Sequence, residues 1–165
     1  MNRLLGLGFV FLLVSGAVLI ITTSSALPPR VASHFGVGGA ANGWQSLETY
    51  RALMLLFGIG LPVLVVAAMA WLPRKLPRLT KLPARDYWLA PERRDATYAA
   101  LTAFAFAHGA LIVVFVVALH LSIVAANAST PPRLAGGPFW ALTATFVATI
   151  TAMIVIYRRR FRVPR

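Results

Sequence analysis

The chain has 165 residues, 59% of them hydrophobic, with sixteen Lys and Arg, only four Asp and Glu, and no cysteine. That composition leaves too little polar sequence for a separate soluble domain, and it excludes disulfides, thiolate nucleophiles, iron–sulfur ligation and cysteine-based zinc sites. The net charge of +12 does not point to nucleic acid, because the cations fall between four stretches without formal charge: Leu4–Pro29, Ala52–Pro73, Ala96–Pro132 and Leu134–Tyr157.

Each stretch is long enough to cross a bilayer, which takes about 20 apolar residues for roughly 30 Å of hydrocarbon. The pattern predicts an all-α integral membrane protein in a single domain, residues 1–165: a four-transmembrane-helix bundle with helices at about 4–23, 48–72, 91–126 and 138–158. Outer loops then cover 24–47 and 127–137, a cytoplasmic loop 73–90, and a cytoplasmic tail 159–165. Thirteen cations lie on one side of this map, in Arg3, the 73–90 region with Arg93 and Arg94, and Arg158 with the tail; only Arg30, Arg51 and Arg133 lie on the other. The bias places both termini and the middle loop in the cytoplasm.

The first apolar run, Leu4 to Ile21, has 18 residues. A signal-peptide core has about 7 to 15, so the segment reads as a retained signal anchor despite small residues at Ser24-Ser25-Ala26. Thr22 to Ser25 and then Pro28-Pro29 end the helix by competing for, or removing, backbone hydrogen bonds. In the outer loop, Gly38-Gly39 and Asn42-Gly43 tolerate positive φ. Two extended pieces, Arg30 to Phe35 and Asn42 to Gln45, suit a small β-hairpin capping the bundle, its pairing dependent on docking to the helices.

The second helix carries Gly58, Gly60 and Pro62 toward its outer end, where a packing bend is expected. Pro73, Pro77, Pro83 and Pro91 then leave no room for a useful helix before Pro91, which suits the first turn of the third helix with Glu92 near the positive end of its dipole. That helix, some 35 residues and about 50 Å at ~1.5 Å per residue, is longer than a span requires. Trp44, Tyr50 and Trp140 mark the outer interface, and Trp71, Trp88, Tyr98 and Tyr157 the inner one. On the fourth helix Ala144, Ala148 and Ala152, with Thr145 and Thr149, give a smooth face expected to pack inside the bundle, a homodimer contact being the alternative.

Few residues carry chemistry. His108, midway along the third helix, is an intramembrane polar candidate; it reads first as a packed, hydrogen-bonded imidazole and alternatively as the working group of a small transporter. His34, His120 and Glu48 could together form an outer-face metal or enzymatic site, although their spacing is not diagnostic. Asn127-Ala128-Ser129 fits a glycosylation pattern close to the membrane. The basic tail lies where anionic lipid would meet it.

At the outer loop, Leu27-Pro28, Val31, His34-Phe35-Gly36, Gly39, Ala41 and Trp44 to Ser46 resemble the motif of a bacterial membrane domain family of unknown function. That family also forms the N-terminal part of SdpI-type toxin-immunity proteins. Ala32, Asn42 and Leu47 replace the proline, aspartate and lysine usual in its pattern. Leu82-Pro83 and Tyr87-Trp88-Leu89-Ala90-Pro91-Glu92-Arg93-Arg94 are similar to a segment of stand-alone members. The resemblance implies a four-helix protein of a bacterial cytoplasmic (inner) membrane. It implies partner recognition, immunity or signalling through a membrane or peptide partner. The residues themselves show no catalytic set, and no metal, cofactor or nucleic acid is expected. The outer motif His34, Phe35, Gly36, Gly39 and Trp44 would be a contact surface or, alternatively, a structural lid over the bundle, and Tyr87, Trp88, Pro91, Glu92, Arg93 and Arg94 form a cytoplasmic motif.

Overall fold

The computed structural model describes residues 2–163, without the side chains of Asn2 and Leu79. Pro164 and Arg165 of the expected tail therefore lie outside the described residues. Four helices are long and apolar enough to cross a membrane. We label them α1 (Asn2–Thr23), α2 (Leu47–Lys75), α3 (Arg94–Asn127) and α4 (Gly136–Arg160). A two-stranded antiparallel sheet, β1 (Arg30–Phe35) and β2 (Ala41–Ser46), lies between α1 and α2. The expected hairpin is present, and each strand is six residues long.

The centre of the bundle is α3. It runs beside α1 in the same direction, so that Phe9 meets Phe106 and Thr23 meets His120, and opposite to α2, so that Arg74 meets Thr102. Close approach of the three helices depends on a glycine. A Cβ on Gly109 would lie 2.6 Å from Val66 Cγ2 and 2.8 Å from Phe9 Cε2. Any side chain there would push α1 and α2 away from α3.

Where a bend was expected, α2 changes hydrogen-bonding pattern. Residues Leu56–Gly60 form a π turn, closed by the Leu61 N–H donating to the Leu56 carbonyl. Pro62 lacks an N–H for the preceding turn, and a wider turn just ahead of it accommodates the missing bond. The end of α2 and the loop after it break into single turns at Leu72–Lys75, Pro77–Leu79 and Arg85–Trp88, interrupted by Pro73, Pro77 and Pro83.

Two expectations change. Helix α3 starts at Arg94, with Asp95 as the acid in its first turn, and Pro91 to Arg93 form a separate turn in which the Arg93 N–H donates to Ala90 O. Pro91 and Glu92 thus precede the helix and do not open it. On α4 the small-residue face is exposed, including Ala144, Ala148 and Ala152, and no residue of this helix is buried. Its opposite face rests on α3 through the stacked rings of Phe146 and Phe115, 4.1 Å apart, and through Tyr157 against Phe104. The aromatic residues bury more area than alanines, so they select the packed face. Thr145 and Thr149 donate to the carbonyls of Ala141 and Thr145, four residues back, and make no interhelical bond.

Candidate functional site

The hairpin is built as a rigid cap. Pairing runs from Arg30 opposite Ser46 to Phe35 opposite Ala41, with irregularities on either side of His34. The turn closes through Gly36 N–H donating to Ala40 O at 2.9 Å and Gly39 N–H donating to Gly36 O at 2.8 Å. Gly39 has φ of 79°, and a Cβ on it would stand 2.4 Å from the Leu134 carbonyl oxygen. That site admits only glycine, on both conformational and steric grounds. The Leu134 N–H in turn donates to Gly39 O at 2.8 Å, joining the hairpin turn to the segment before α4.

Asn127 holds the other side of the cap. Its Oδ1 accepts the Ala32 N–H, and its Nδ2 donates to Ala32 O and to Ile123 O, each at 2.9 Å. The carboxamide thus does for β1 what a further strand would do, pairing both backbone groups of one residue. Nothing in the glycosylation pattern at Asn127 foretold this. The signal available was a polar amide at the last turn of an apolar helix.

Beneath the cap, Val31, Leu27, Tyr50 and Ile123 form a buried cluster against which Phe35 packs. Here His120, fully buried, joins three helices: its Nδ1 is 2.7 Å from the Tyr50 hydroxyl and its Nε2 2.7 Å from Thr23 Oγ1. Thr23 Oγ1 has one proton, which it donates to Leu19 O at 2.6 Å. It therefore accepts from Nε2–H, and Nδ1 accepts from the Tyr50 hydroxyl. One neutral tautomer satisfies every member of this chain.

That arrangement separates the three residues of the outer-face metal set. Both nitrogens of His120 are engaged below the cap, whereas His34 on β1 and Glu48 in the first turn of α2 are exposed. Among the described residues no three His, Asp or Glu side chains come together in a metal-holding group.

On the open surface of the hairpin, His34 and Trp44 project outward, Trp44 with 45% of its surface exposed. His34 Nδ1 lies 2.5 Å from Asn42 Oδ1. The amide oxygen can only accept, so Nδ1 donates to it, and Nε2 has no hydrogen-bond partner among the described residues. Gly43 lies opposite His34, where a Cβ would come within 2.9 Å of the His34 Cβ. The motif residues divide accordingly: Phe35, Gly36 and Gly39 shape and anchor the cap, and His34 and Trp44 form its exposed chemistry.

The basic end is organised as a clamp. Trp88 Nε1–H donates to Phe161 O at 2.7 Å, and the two rings meet edge-on at 5.5 Å. Thr97 Oγ1 donates to Trp88 O, and the Arg93 guanidinium donates to Tyr87 O while lying 4.0 Å from the Tyr87 ring centroid. Three residues of the motif expected in the cytoplasm, Tyr87, Trp88 and Arg93, thus fasten the loop to the start of α3 and the end of α4. Pro91, Glu92 and Arg94 are exposed.

His108 donates from Nδ1 to Phe104 O at 2.7 Å, four residues back on its own helix, and its ring borders a cavity between α2, α3 and α4. The bonded-imidazole expectation accounts for that nitrogen.

These features define a class: a helical protein with four segments of membrane-crossing length, capped at one end by a docked β-hairpin and clamped at the other by an aromatic-basic loop. A scan against protein-family models and searches of curated proteins and of solved structures find no match to the chain.

Proposed function

We propose that this is a multi-pass protein of a bacterial cytoplasmic membrane that acts by recognition and not by catalysis. The basic end, with both termini, faces the cytoplasm, and the hairpin faces outward. The distribution of thirteen cations at one end against three at the other supports that orientation.

The observation that carries the recognition reading is the contrast between the hairpin's backbone and its exposed face. Asn127, Gly39 and the Pro29 carbonyl, which accepts the Leu47 N–H, fix the strands to the bundle. On that fixed frame, His34 and Trp44 offer a polar nitrogen and a large amphipathic ring. Tryptophan is among the residues that most often dominate binding surfaces, and a pre-ordered display loses little conformational entropy on binding. The resemblance to the N-terminal part of SdpI-type immunity proteins is consistent with a membrane or peptide partner met at this face, in immunity or signalling.

A photo-crosslinking amino acid at Trp44 in intact cells tests this. A discrete protein or peptide adduct that disappears with His34→Ala is expected. Adducts indistinguishable from those formed at Ala148, on the exposed face of α4, would contradict the reading.

A further inference from the structure

The weak attachment of α4 leaves a wedge between it and α2 at the basic end. There a cavity of about 350 Å³ opens, lined by Ala68, Met69 and Leu72 of α2, by Leu101 of α3 and by Ile154 of α4, with His108 also on its wall. Its volume falls at the lower end of the roughly 300–1,000 Å³ usual for small-molecule sites. Apart from His108 its walls are largely aliphatic, and its other polar groups gather at one end.

At that end stand Thr80, Lys81 and Tyr157, and a second depression continues past them to Arg85, Asp86 and Arg158. Two observations there point to an anion. Thr80 Oγ1 is buried and has no hydrogen-bond partner among the described residues, a state that buried hydroxyls rarely keep without a further group to bond. Lys81 and Arg158 are exposed, and neither pairs with a carboxylate of the described residues, whereas Arg85 is already joined to Asp86 at 3.2 Å. Tyr157 donates to the Lys81 carbonyl at 3.3 Å, which holds the loop against α4 at the rim.

We propose that this wedge is a binding site for an anionic phospholipid of the leaflet at the basic end. One acyl chain lies in the aliphatic slot, the phosphate meets Lys81 and Arg158, and the Thr80 hydroxyl donates to a phosphate or ester oxygen. An apolar slot between helices with a cationic mouth matches an amphiphile better than a soluble anion, which would leave the slot unfilled. The site rests on the membrane reading given above. Loss of that reading would appear as labelling of Lys81→Cys by an impermeant maleimide in whole cells, independently of any lipid preference.

The test is native mass spectrometry of the full chain released from detergent micelles doped with phosphatidylglycerol or with phosphatidylethanolamine of the same acyl composition. Retention of one phosphatidylglycerol in preference to phosphatidylethanolamine is expected. The Lys81→Gln/Arg158→Gln variant should lower that retention about 25-fold, from ~5-fold per cation near an anionic lipid. Ala68→Trp, at an exposed position, should fill the slot and abolish retention of both lipids. Arg159→Gln/Arg162→Gln removes the same charge from exposed positions outside the cavity and should change little. Equal retention of the two lipids, an equal loss in the Arg159/Arg162 variant, or undiminished retention in Ala68→Trp would overturn the proposal.

Discussion

The hydroxyl of Tyr50 lies 2.7 Å from Nδ1 of His120, with both side chains wholly buried where α1, α2 and α3 converge beneath the hairpin. The two rings are also nearly parallel, at 28° and 5.7 Å between centroids. His120 takes part in a directional chain, Tyr50 to His120 to Thr23 to Leu19, that fixes the register of three helices at one level. Hydrogen bonds of this kind specify geometry because a shifted register leaves polar groups buried without partners.

Tyr50→Phe removes the donor to Nδ1 and leaves that nitrogen with nothing to accept. The expected cost is about 1–2 kcal/mol, above the ~0.6 average for hydrogen bonds between membrane helices because the acceptor is fully enclosed. Thr23→Val should cost a similar amount. In thermal unfolding of the purified protein in detergent, the double variant should be less destabilised than the sum of the two, since both act through one imidazole.

The four helices were legible because charge exclusion over some twenty residues is a long-range pattern that needs no tertiary information, and the hairpin was legible in its paired glycines. Helix ends were less so: Pro91 looked like a first-turn proline, yet the Ala90 carbonyl closes a separate turn over it. The face of α4 was misread because a small-residue stripe has the same spacing whether it meets a helix or lipid. Asn127 was the largest omission at the candidate site, since its two partners on Ala32 lie 95 positions away and no local spacing encodes them.

Asn127→Asp distinguishes the role of that side chain from simple polarity. The carboxylate keeps the acceptor for Ala32 N–H but sets a second oxygen against the Ala32 carbonyl, so both Asn127→Asp and Asn127→Leu should loosen the cap. Hydrogen exchange at Ala32 and Val31 should quicken by at least about tenfold, the equivalent of ~1.4 kcal/mol of local opening. Exchange in the middle of α3 should stay unchanged.

Two adjacent glycines give opposite expectations. Gly39→Ala combines a left-handed backbone with a Cβ 2.4 Å from a carbonyl oxygen and should destabilise the cap by more than ~1–2 kcal/mol. Gly38→Ala meets nothing within 4 Å and should leave the melting temperature nearly unchanged. If the two variants melt alike, the joint between the hairpin turn and Leu134 contributes little.

At the other end, Trp88→Phe keeps an aromatic ring against Phe161 but removes the indole donor to its carbonyl. A loss of about 1 kcal/mol is expected, together with faster proteolysis after Arg160, where the end of α4 would no longer be held. Trypsin digestion of detergent-solubilised protein, followed by mass spectrometry of the released C-terminal fragments, measures this directly.

The absence of cysteine makes the central claim testable without background. Single cysteines at Val37, 97% exposed at the hairpin tip, and at Lys81, exposed in the basic loop, can be probed in intact bacterial cells with a membrane-impermeant maleimide. A bilayer-spanning bundle with its hairpin outside predicts that Val37→Cys is labelled in whole cells and Lys81→Cys only after permeabilisation. Labelling of Lys81→Cys in whole cells, or protection of Val37→Cys until the cells are opened, would contradict it.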